Sequence, residues 1–217
     1  MNKKILGQLL AHSQNDLDKI TQPYILETFG VEVKRCNSIE EYSIAIDDAC
    51  LHKYFSKYWH NDMKKWKYSG LALIDEVNSM KPRAVLDVGC GYNEFKGKIQ
   101  NIIGIDPYNK NADFQVGVID YKTDQKFDVI LCLGSVNFGS RDKIIKEVGK
   151  CVDLLSKDGT MFFRVNPGVQ HDKPEADWIE FFGWNVPFII ELAEIYNLKI
   201  LDIRDDTNQR KYFIYRK

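Results

Sequence analysis

The apolar patterning of this chain predicts an α/β fold. We expect a three-layer αβα sandwich around a mostly parallel seven-stranded sheet, with an antiparallel last strand and a helical N-terminal region. Three observations carry that prediction. From Pro82 onward, short apolar runs alternate with helical segments, the rhythm of parallel strands joined by crossovers. Several of these runs are apolar on successive residues, as strands buried on both faces are. Before Pro82, apolar residues recur instead at three- and four-residue intervals, the period of amphipathic helices.

In chain order, Ile5, Leu6, Leu9, Leu10, Leu17 and Ile20 mark an opening helix. Gln8 and His12 interrupt its apolar stretch, so it is read as amphipathic rather than as a signal peptide. Ser38 followed by Glu41 predicts a capping box that opens a helix through Ile44 and Cys50. Trp66–Val77 is the next expected helix, stopped by Asn78 and by Pro82 beyond it. Strands are expected at Ala84–Val88, Ile102–Ile105, Phe114–Val118, Phe127–Leu133 and Thr160–Val165. Between the last two, Ile144, Val148, Cys151, Val152 and Leu155 form one stripe of a crossover helix over Arg141–Leu155, and Asp158-Gly159 turns the chain into the next strand. A helix over Val186–Tyr196 follows. The strands Lys199–Ile203 and Lys211–Tyr215, joined through Asp205-Asp206-Thr207-Asn208, predict an antiparallel closing hairpin. The change of texture divides the chain into residues 1–80, a helical cap or substrate-side region, and residues 81–217, the core.

Composition narrows the function classes. Hydrophobic residues make up 44% and charged residues 28% of the 217, a globular balance that argues against long disorder. The formal net charge of -1 excludes the overall basic field of a dedicated nucleic-acid protein. Cys36, Cys50, Cys90, Cys132 and Cys151 contain no CxxC pair and cannot all pair within one chain, which implies reduced thiols in a cytoplasmic protein. His12, His52, His60 and His171 form no ligand pair at helical spacing, so no metal is expected. Nowhere do about 18 consecutive apolar residues occur, so no membrane span is expected.

The segment Val85-Leu86-Asp87-Val88-Gly89-Cys90-Gly91-Tyr92-Asn93 is a strand ending in a turn. Its two glycines leave room for a ligand against the backbone. Alone, this pattern also fits many tight turns. A second element strengthens it: Ile102-Ile103-Gly104-Ile105-Asp106 is an apolar strand ending in an acid. That acid stands at the end of the neighbouring strand, where a carboxylate can accept hydrogen bonds from both ribose hydroxyls of an adenosyl group. The dinucleotide fingerprint needs a third glycine three residues after Gly91, where this chain has Glu94. An acid there repels a pyrophosphate, which disfavours an NAD-linked oxidoreductase. It does not repel a sulfonium or an ammonium, and Asp87 places a carboxylate close by.

Together these residues resemble the class I S-adenosylmethionine-dependent methyltransferases, a Rossmann-like family. Asp87-Val88-Gly89-Cys90-Gly91 is similar to the family's first motif and Asp106 to its ribose-binding acid. Phe127-Asp128-Val129-Ile130 resembles the opening of the fourth strand, and Leu154-Leu155-Ser156-Lys157-Asp158-Gly159-Thr160 the turn before the fifth. The resemblance covers residues 81–217. It implies S-adenosyl-L-methionine as cofactor, held by Asp87, Gly89, Cys90, Gly91 and Asp106, with Leu133 at the end of the fourth strand as a further contact. By the same resemblance Asp120 is the third-strand acid that reaches the adenine amino group; an ordinary turn aspartate is the alternative. Two features depart from the family. Asn93 stands where a third small residue is usual, and Tyr92–Asn101 leaves only about two turns for the first crossover helix.

The expected activity is methyl transfer to an unidentified acceptor by in-line displacement. A non-catalytic protein that binds S-adenosylmethionine or a nucleoside on the same fold is the alternative. Ligands of open α/β sheets sit beyond the carboxyl ends of the strands, which points to the loops after strands four and five. These supply Ser135, Asn137, Asn166, His171 and Asp172, with Phe138 and Trp178 or Trp184 as possible walls. Asn137 and Asn166 are candidates to orient an acceptor, and His171 to take its proton near neutral pH. The Asp/Asn-Pro-Pro-aromatic signature of DNA amino-methyltransferases is absent from Leu133-Gly134-Ser135-Val136-Asn137-Phe138, so a small-molecule acceptor is favoured. Interleaved aromatics and lysines over residues 52–67 leave nucleic-acid binding open; an amphipathic cap with buried aromatics is the alternative.

Overall fold

The computed structural model of the chain describes residues 14–60, 62–171, 176, 179 and 181–217. Ile5, Leu6, Leu9, Leu10, Asp172 and Trp178 lie outside them. The described residues gather into two compact units: one takes those up to His60 and those of 170–180, the other residues 62–169 and 181–217.

In the first unit, α1 (Gln14–Phe29) precedes α2 (Ile39–Lys53). Ser38 Oγ accepts from the Glu41 amide at 3.2 Å, and Glu41 Oε2 accepts from the Asn37 amide at 2.7 Å. This is the expected capping box, with the acid reaching back one residue beyond the cap. Ile25, Val31, Tyr42, Ile46 and Cys50 form a small core of their own. The helix runs on into a π-helical turn, Tyr54–Tyr58. The aromatic-lysine stretch is thereby divided: its residues up to His60 belong to this unit, and Met63–Lys67 to the other.

The second unit is built on one sheet of β1 (Val85–Val88), β2 (Ile102–Ile105), β3 (Phe127–Leu133), β4 (Leu155–Val165), β5 (Lys199–Asp206) and β6 (Arg210–Arg216), in spatial order β2-β1-β3-β4-β6-β5. Strands β1 to β4 pair in parallel, and β6 runs antiparallel to both β4 and β5. The pleat sorts the core. Leu86, Val88, Ile130, Cys132, Met161, Phe163, Phe213 and Tyr215 face α4 (Arg141–Leu154) and α5 (Val186–Ile195), which bring Ile144, Val148, Cys151, Ile189 and Leu192. Val85, Val129, Leu131, Phe162, Tyr212 and Ile214 face the other way, onto Met63, Leu73, Val77, Phe95 and Ile99. Residues 62–80 therefore pack as a layer of this unit. The break in packing falls at His60, while the break in sequence texture falls near Met80.

The sheet has six strands among the described residues, not seven. Phe114–Val118 makes only a single parallel bridge, Phe114 to Ile105. Asp113 Oδ2 takes the Gly104 amide at 2.8 Å, and the Val116 amide folds back onto the Phe114 carbonyl at 3.0 Å. A side chain thus caps the edge of β2 and the backbone curls away before a ladder can form. The β1–β2 connection holds no helix, only successive turns. Asn93, Gly97 and Asn101 have φ of 58°, 77° and 55°, and a left-handed residue every fourth position does not propagate an α-helix. Similarly the helix expected over Trp66–Val77 begins only at Leu73, as α3 (Leu73–Ser79). Gly70, at φ 63°, precedes it, and a Cβ there would lie 2.6 Å from the Met63 carbonyl oxygen.

The β5–β6 hairpin is fastened to residues 66–69 by a buried carboxylate. Asp206 Oδ1 accepts from the amides of Lys67 (2.9 Å), Tyr68 (3.3 Å) and Thr207 (2.8 Å). Its Oδ2 accepts from Ser69 Oγ and from Arg164 Nε, the latter at 3.2 Å. The Arg164 guanidinium also lies 4.0 Å from the centre of the Trp66 ring, a cation–π contact.

Candidate functional site

The carboxyl ends of β1 and β2 bring two acids together. Register pairs Asp87 with Gly104 and Val88 with Ile105, so Asp106 follows directly on the neighbouring strand, and both acids are buried. Their surroundings differ. Asp106 Oδ1 accepts from the amides of Tyr108 (2.8 Å) and Asn109 (2.9 Å), and Oδ2 from the amide of Gly91 (3.0 Å). Three donors leave a carboxylate room for about one more. In this conformation Asp106 can take one ribose hydroxyl; a second requires the release of an amide.

Asp87 has no hydrogen-bond donor among the described residues. Burial, and then the charge of Asp106, push its pKa from the ordinary carboxylate range up to about 8. No described residue stabilises its charged form, so positive charge brought by a ligand would do so.

The turn between the acids is built as the sequence suggests, with one difference. Gly89 and Gly91 have φ of 69° and 54°, which only glycine adopts at little cost. The amides of Gly89 and Cys90 both donate to the Ile105 carbonyl, at 2.8 and 3.0 Å. A Cβ at Gly89 would lie 2.2 Å from Ser135 Cβ. The space freed at Gly89 is therefore taken by the loop after β3 rather than held open for a ligand. Ser135 Oγ is itself buried and without a partner. Cys90 is buried, and its thiol is pushed up by burial and then by Asp87. Asn93 Nδ2 donates to the Asn111 carbonyl at 3.1 Å, while its Oδ1 is buried and unpartnered.

Of the other expected cofactor residues, Leu133 ends β3 and packs against the Val85–Leu131 face of the core. Asp120 is exposed in a turn whose amide donates to the Gly117 carbonyl at 3.1 Å.

The loops after β3 and β4 hold the two asparagines together. Asn137 Oδ1 accepts from the Asn166 amide at 2.8 Å. Asn166 Oδ1 accepts from the amides of Gly168 and Val169, and its Nδ2 donates to the Val169 carbonyl at 2.8 Å. Asn166 is thus engaged in shaping its own loop, an Asx turn. Asn137 keeps its Nδ2 group without a described partner. Trp184, expected as a possible pocket wall, is a core residue, with Nε1 donating to the Val136 carbonyl at 2.9 Å. Phe138 bridges to Phe181, their rings 5.2 Å apart. His171 belongs to the first unit, where its Nδ1 lies 2.9 Å from the Tyr54 hydroxyl.

Sequence reading missed Arg164 and Arg210, which stand at the carboxyl end of β4 and the start of β6 on the face of Asp87. Isolated arginines in strands carry no periodic signal. The only cue was a buried-strand position, Arg164, at the end of an otherwise apolar run.

The topology has counterparts among known structures. A 1,6-didemethyltoxoflavin-N1-methyltransferase from Burkholderia thailandensis, with bound 1,6-didemethyltoxoflavin and S-adenosylhomocysteine, superposes with a TM-score of 0.59 at 14% identity, over 86% of this chain and 94% of that one. A S-adenosylmethionine-dependent methyltransferase from Clostridium acetobutylicum gives 0.54 at 14% identity, over 82% and 98%. An O-methyltransferase family protein from Burkholderia thailandensis gives 0.53 at 12% identity, over 98% and 72%. The fold is that of the class I methyltransferases. No family model and no curated protein matches the sequence, so the shared feature is the fold. Among the described residues no helix is long and apolar enough to cross a membrane, and no cluster of His, Cys, Asp and Glu is placed to hold a metal.

Within the methyltransferase fold, the donor set fits S-adenosylmethionine at its charged end. Among the described residues neither the Asp87 carboxylate nor Ser135 Oγ has a hydrogen-bond partner, and both lie at the glycine turn. The fit is tighter at the ribose, where Asp106 has one position left.

Proposed function

We propose that the chain is a S-adenosylmethionine-dependent methyltransferase acting on a small-molecule acceptor. Asp87 carries this reading. A carboxylate buried at the end of β1 without a donor gains most from a ligand that brings positive charge, and S-adenosylmethionine brings a sulfonium and an ammonium. The same acid, with Glu94 at the head of the next segment, opposes a pyrophosphate. Asp106 would hold a ribose hydroxyl, with Leu133 and Asp120 as further contacts. When bound, the cofactor supplies an electrophilic methyl group; the protein's part is to position an acceptor against it and exclude water. In this reading residues 1–80 supply the substrate-side region. His171 takes a proton where the acceptor has one to lose, its ring oriented by Tyr54, and the Asn137 amide orients the acceptor.

Calorimetry on the purified chain tests the cofactor. S-adenosylhomocysteine should bind, NAD far more weakly, and Gly91→Val should abolish binding. NAD binding more tightly than S-adenosylhomocysteine would sink the proposal. Release of S-adenosylhomocysteine in the presence of an acceptor separates an enzyme from a protein that only binds.

A further inference from the structure

At the carboxyl end of the sheet Arg164 pairs with the Asp206 carboxylate, and Arg210 stands at the register position opposite Asp206. Arg164 is opposite Tyr212, and the alternation of β6 places Arg210 on the same face, next along toward the rim. Arg210 is near enough for its charge to act on Arg164. Its register partner across β5 is Asp206, but that carboxylate is already filled. Ser69, Arg164 and the amides of Lys67, Tyr68 and Thr207 all donate to it, more donors than the roughly four lone-pair positions of a carboxylate. Arg164 completes its own set on the Thr207 carbonyl at 3.0 Å. Arg210 is left over: its guanidinium has no hydrogen bond or ion pair among the described residues, and its Nη1 is buried. Burial alone holds its pKa below the usual arginine value. A part-buried guanidinium without an acceptor is unfavourable, and an incoming oxyanion removes that cost with a two-pronged contact.

The place of this group matters. Asp87 pairs with Leu131, and Leu133, Arg164 and Arg210 continue the same face across β3, β4 and β6. Three strand spacings, about 14 Å, separate the Asp87 strand from that of Arg210. Of the other cations nearby, Lys65 pairs with Asp62, Arg204 with Asp202 and Lys211 with Asp205. One part-buried guanidinium without an acceptor among the described residues matches one anionic group. It does not make the extended basic track that a polyanion requires.

We propose that Arg210 recognises a carboxylate or phosphate on the small-molecule methyl acceptor. The word acceptor rests on the methyltransferase reading, whereas the anion site stands on the geometry of Arg210 alone. The probes are inorganic phosphate and acetate, titrated into the full-length chain at ionic strength held constant with chloride. Binding of at least one should saturate, and the tighter of the two names the group. R210Q should weaken it roughly fivefold or more, and R210K should fall between, since an ammonium keeps the charge and loses the fork. The Tm of R210Q should not drop, because no protein acceptor is lost; a structural arginine would lower it. S-adenosylhomocysteine affinity should stay within about twofold in both variants. The proposal is overturned if neither probe saturates on the wild type, or if R210Q binds them equally well. It is also overturned if a single-stranded oligonucleotide outcompetes both by orders of magnitude. If the anion titrations behave as expected while S-adenosylhomocysteine fails to bind, the methyltransferase reading falls and the anion site remains.

Discussion

Asp87 and Asp206 are both buried carboxylates at the carboxyl end of the same sheet, and they are opposites. Asp206 is surrounded by donors and an arginine, which hold its pKa below the ordinary carboxylate value despite burial. Asp87 is surrounded by apolar side chains and another acid, which raise its pKa to about 8. A saturated carboxylate fastens segments together, here residues 66–69 to the last hairpin. An unsaturated one destabilises the fold when ionised, and persists where a ligand completes it.

The strongest way to break the comparison is to remove the donors of Asp206 altogether. A chain beginning at Met80 loses Ser69 and the amides of Lys67 and Tyr68, and bares Val85, Val129, Leu131, Phe162, Tyr212 and Ile214 on one face of the sheet. It should fail to fold, measured by circular dichroism and gel filtration. A soluble, cooperatively folding product would show that residues 62–80 are dispensable packing.

Asp206→Asn is the more surgical version. It leaves Arg164 buried without its counter-charge, and truncating one member of a buried pair costs about 3–5 kcal/mol. The sign with pH follows from the lowered pKa. The stabilising contribution of Asp206 is present above the unfolded carboxylate value and is lost as pH falls through the folded one. Urea unfolding should therefore show the gap between wild type and variant shrinking toward acid pH. A constant gap would mean that hydrogen bonding, not charge, holds the cluster.

Asp87→Asn should move stability the other way. The raised pKa means that the folded chain keeps a proton which the unfolded chain has lost between about pH 4 and 8, so the wild type loses stability as pH rises through that window. The asparagine does not. The variant should match the wild type near pH 4 and exceed its Tm at pH 8, by a few degrees, while its affinity for S-adenosylhomocysteine drops roughly tenfold or more. Lower stability at pH 8 would show that the carboxylate has a structural partner after all.

The sequence contained most of the sheet and both acids of the turn, because strand periodicity and the glycine turn are local signals. What it did not contain was set by distant or side-chain contacts. Phe114–Val118 reads as a strand until the Asp113 carboxylate takes the Gly104 amide. Asn137 and Asn166 read as acceptor ligands, and the sequence does not show that the Asn137 carboxamide oxygen takes the Asn166 amide or that the Asn166 side chain is engaged in its own turn. Lys67–Ser69 read as part of a helix, and instead they meet Asp206, about 140 residues away in the chain. Arg210 shows no pattern at all; its meaning comes from an acid opposite it that is already occupied.

The smallest effect, and the one that most sharpens the contrast, is the proton count on cofactor binding. Asp206 is already ionised and has nothing to release. Asp87 is mostly protonated at pH 7, and a bound cation should return it toward the ordinary carboxylate range. Binding should then expel close to one proton at pH 7 and almost none at pH 9, seen by calorimetry in buffers of different ionisation enthalpy. Correspondingly, affinity should rise with pH between about 6 and 7.5, by up to tenfold per unit. The pair of ligands identifies which cation Asp87 meets. If it meets the ammonium, S-adenosylmethionine and S-adenosylhomocysteine, which both carry one, should release protons equally. If it meets the sulfonium, only S-adenosylmethionine should do so, and it should also bind more tightly. Asp87→Asn should abolish the release with either ligand, whereas Asp206→Asn, where folded, should leave it unchanged. Release that persists without the Asp87 carboxylate would assign the proton to another group and remove the observation on which the proposed function rests.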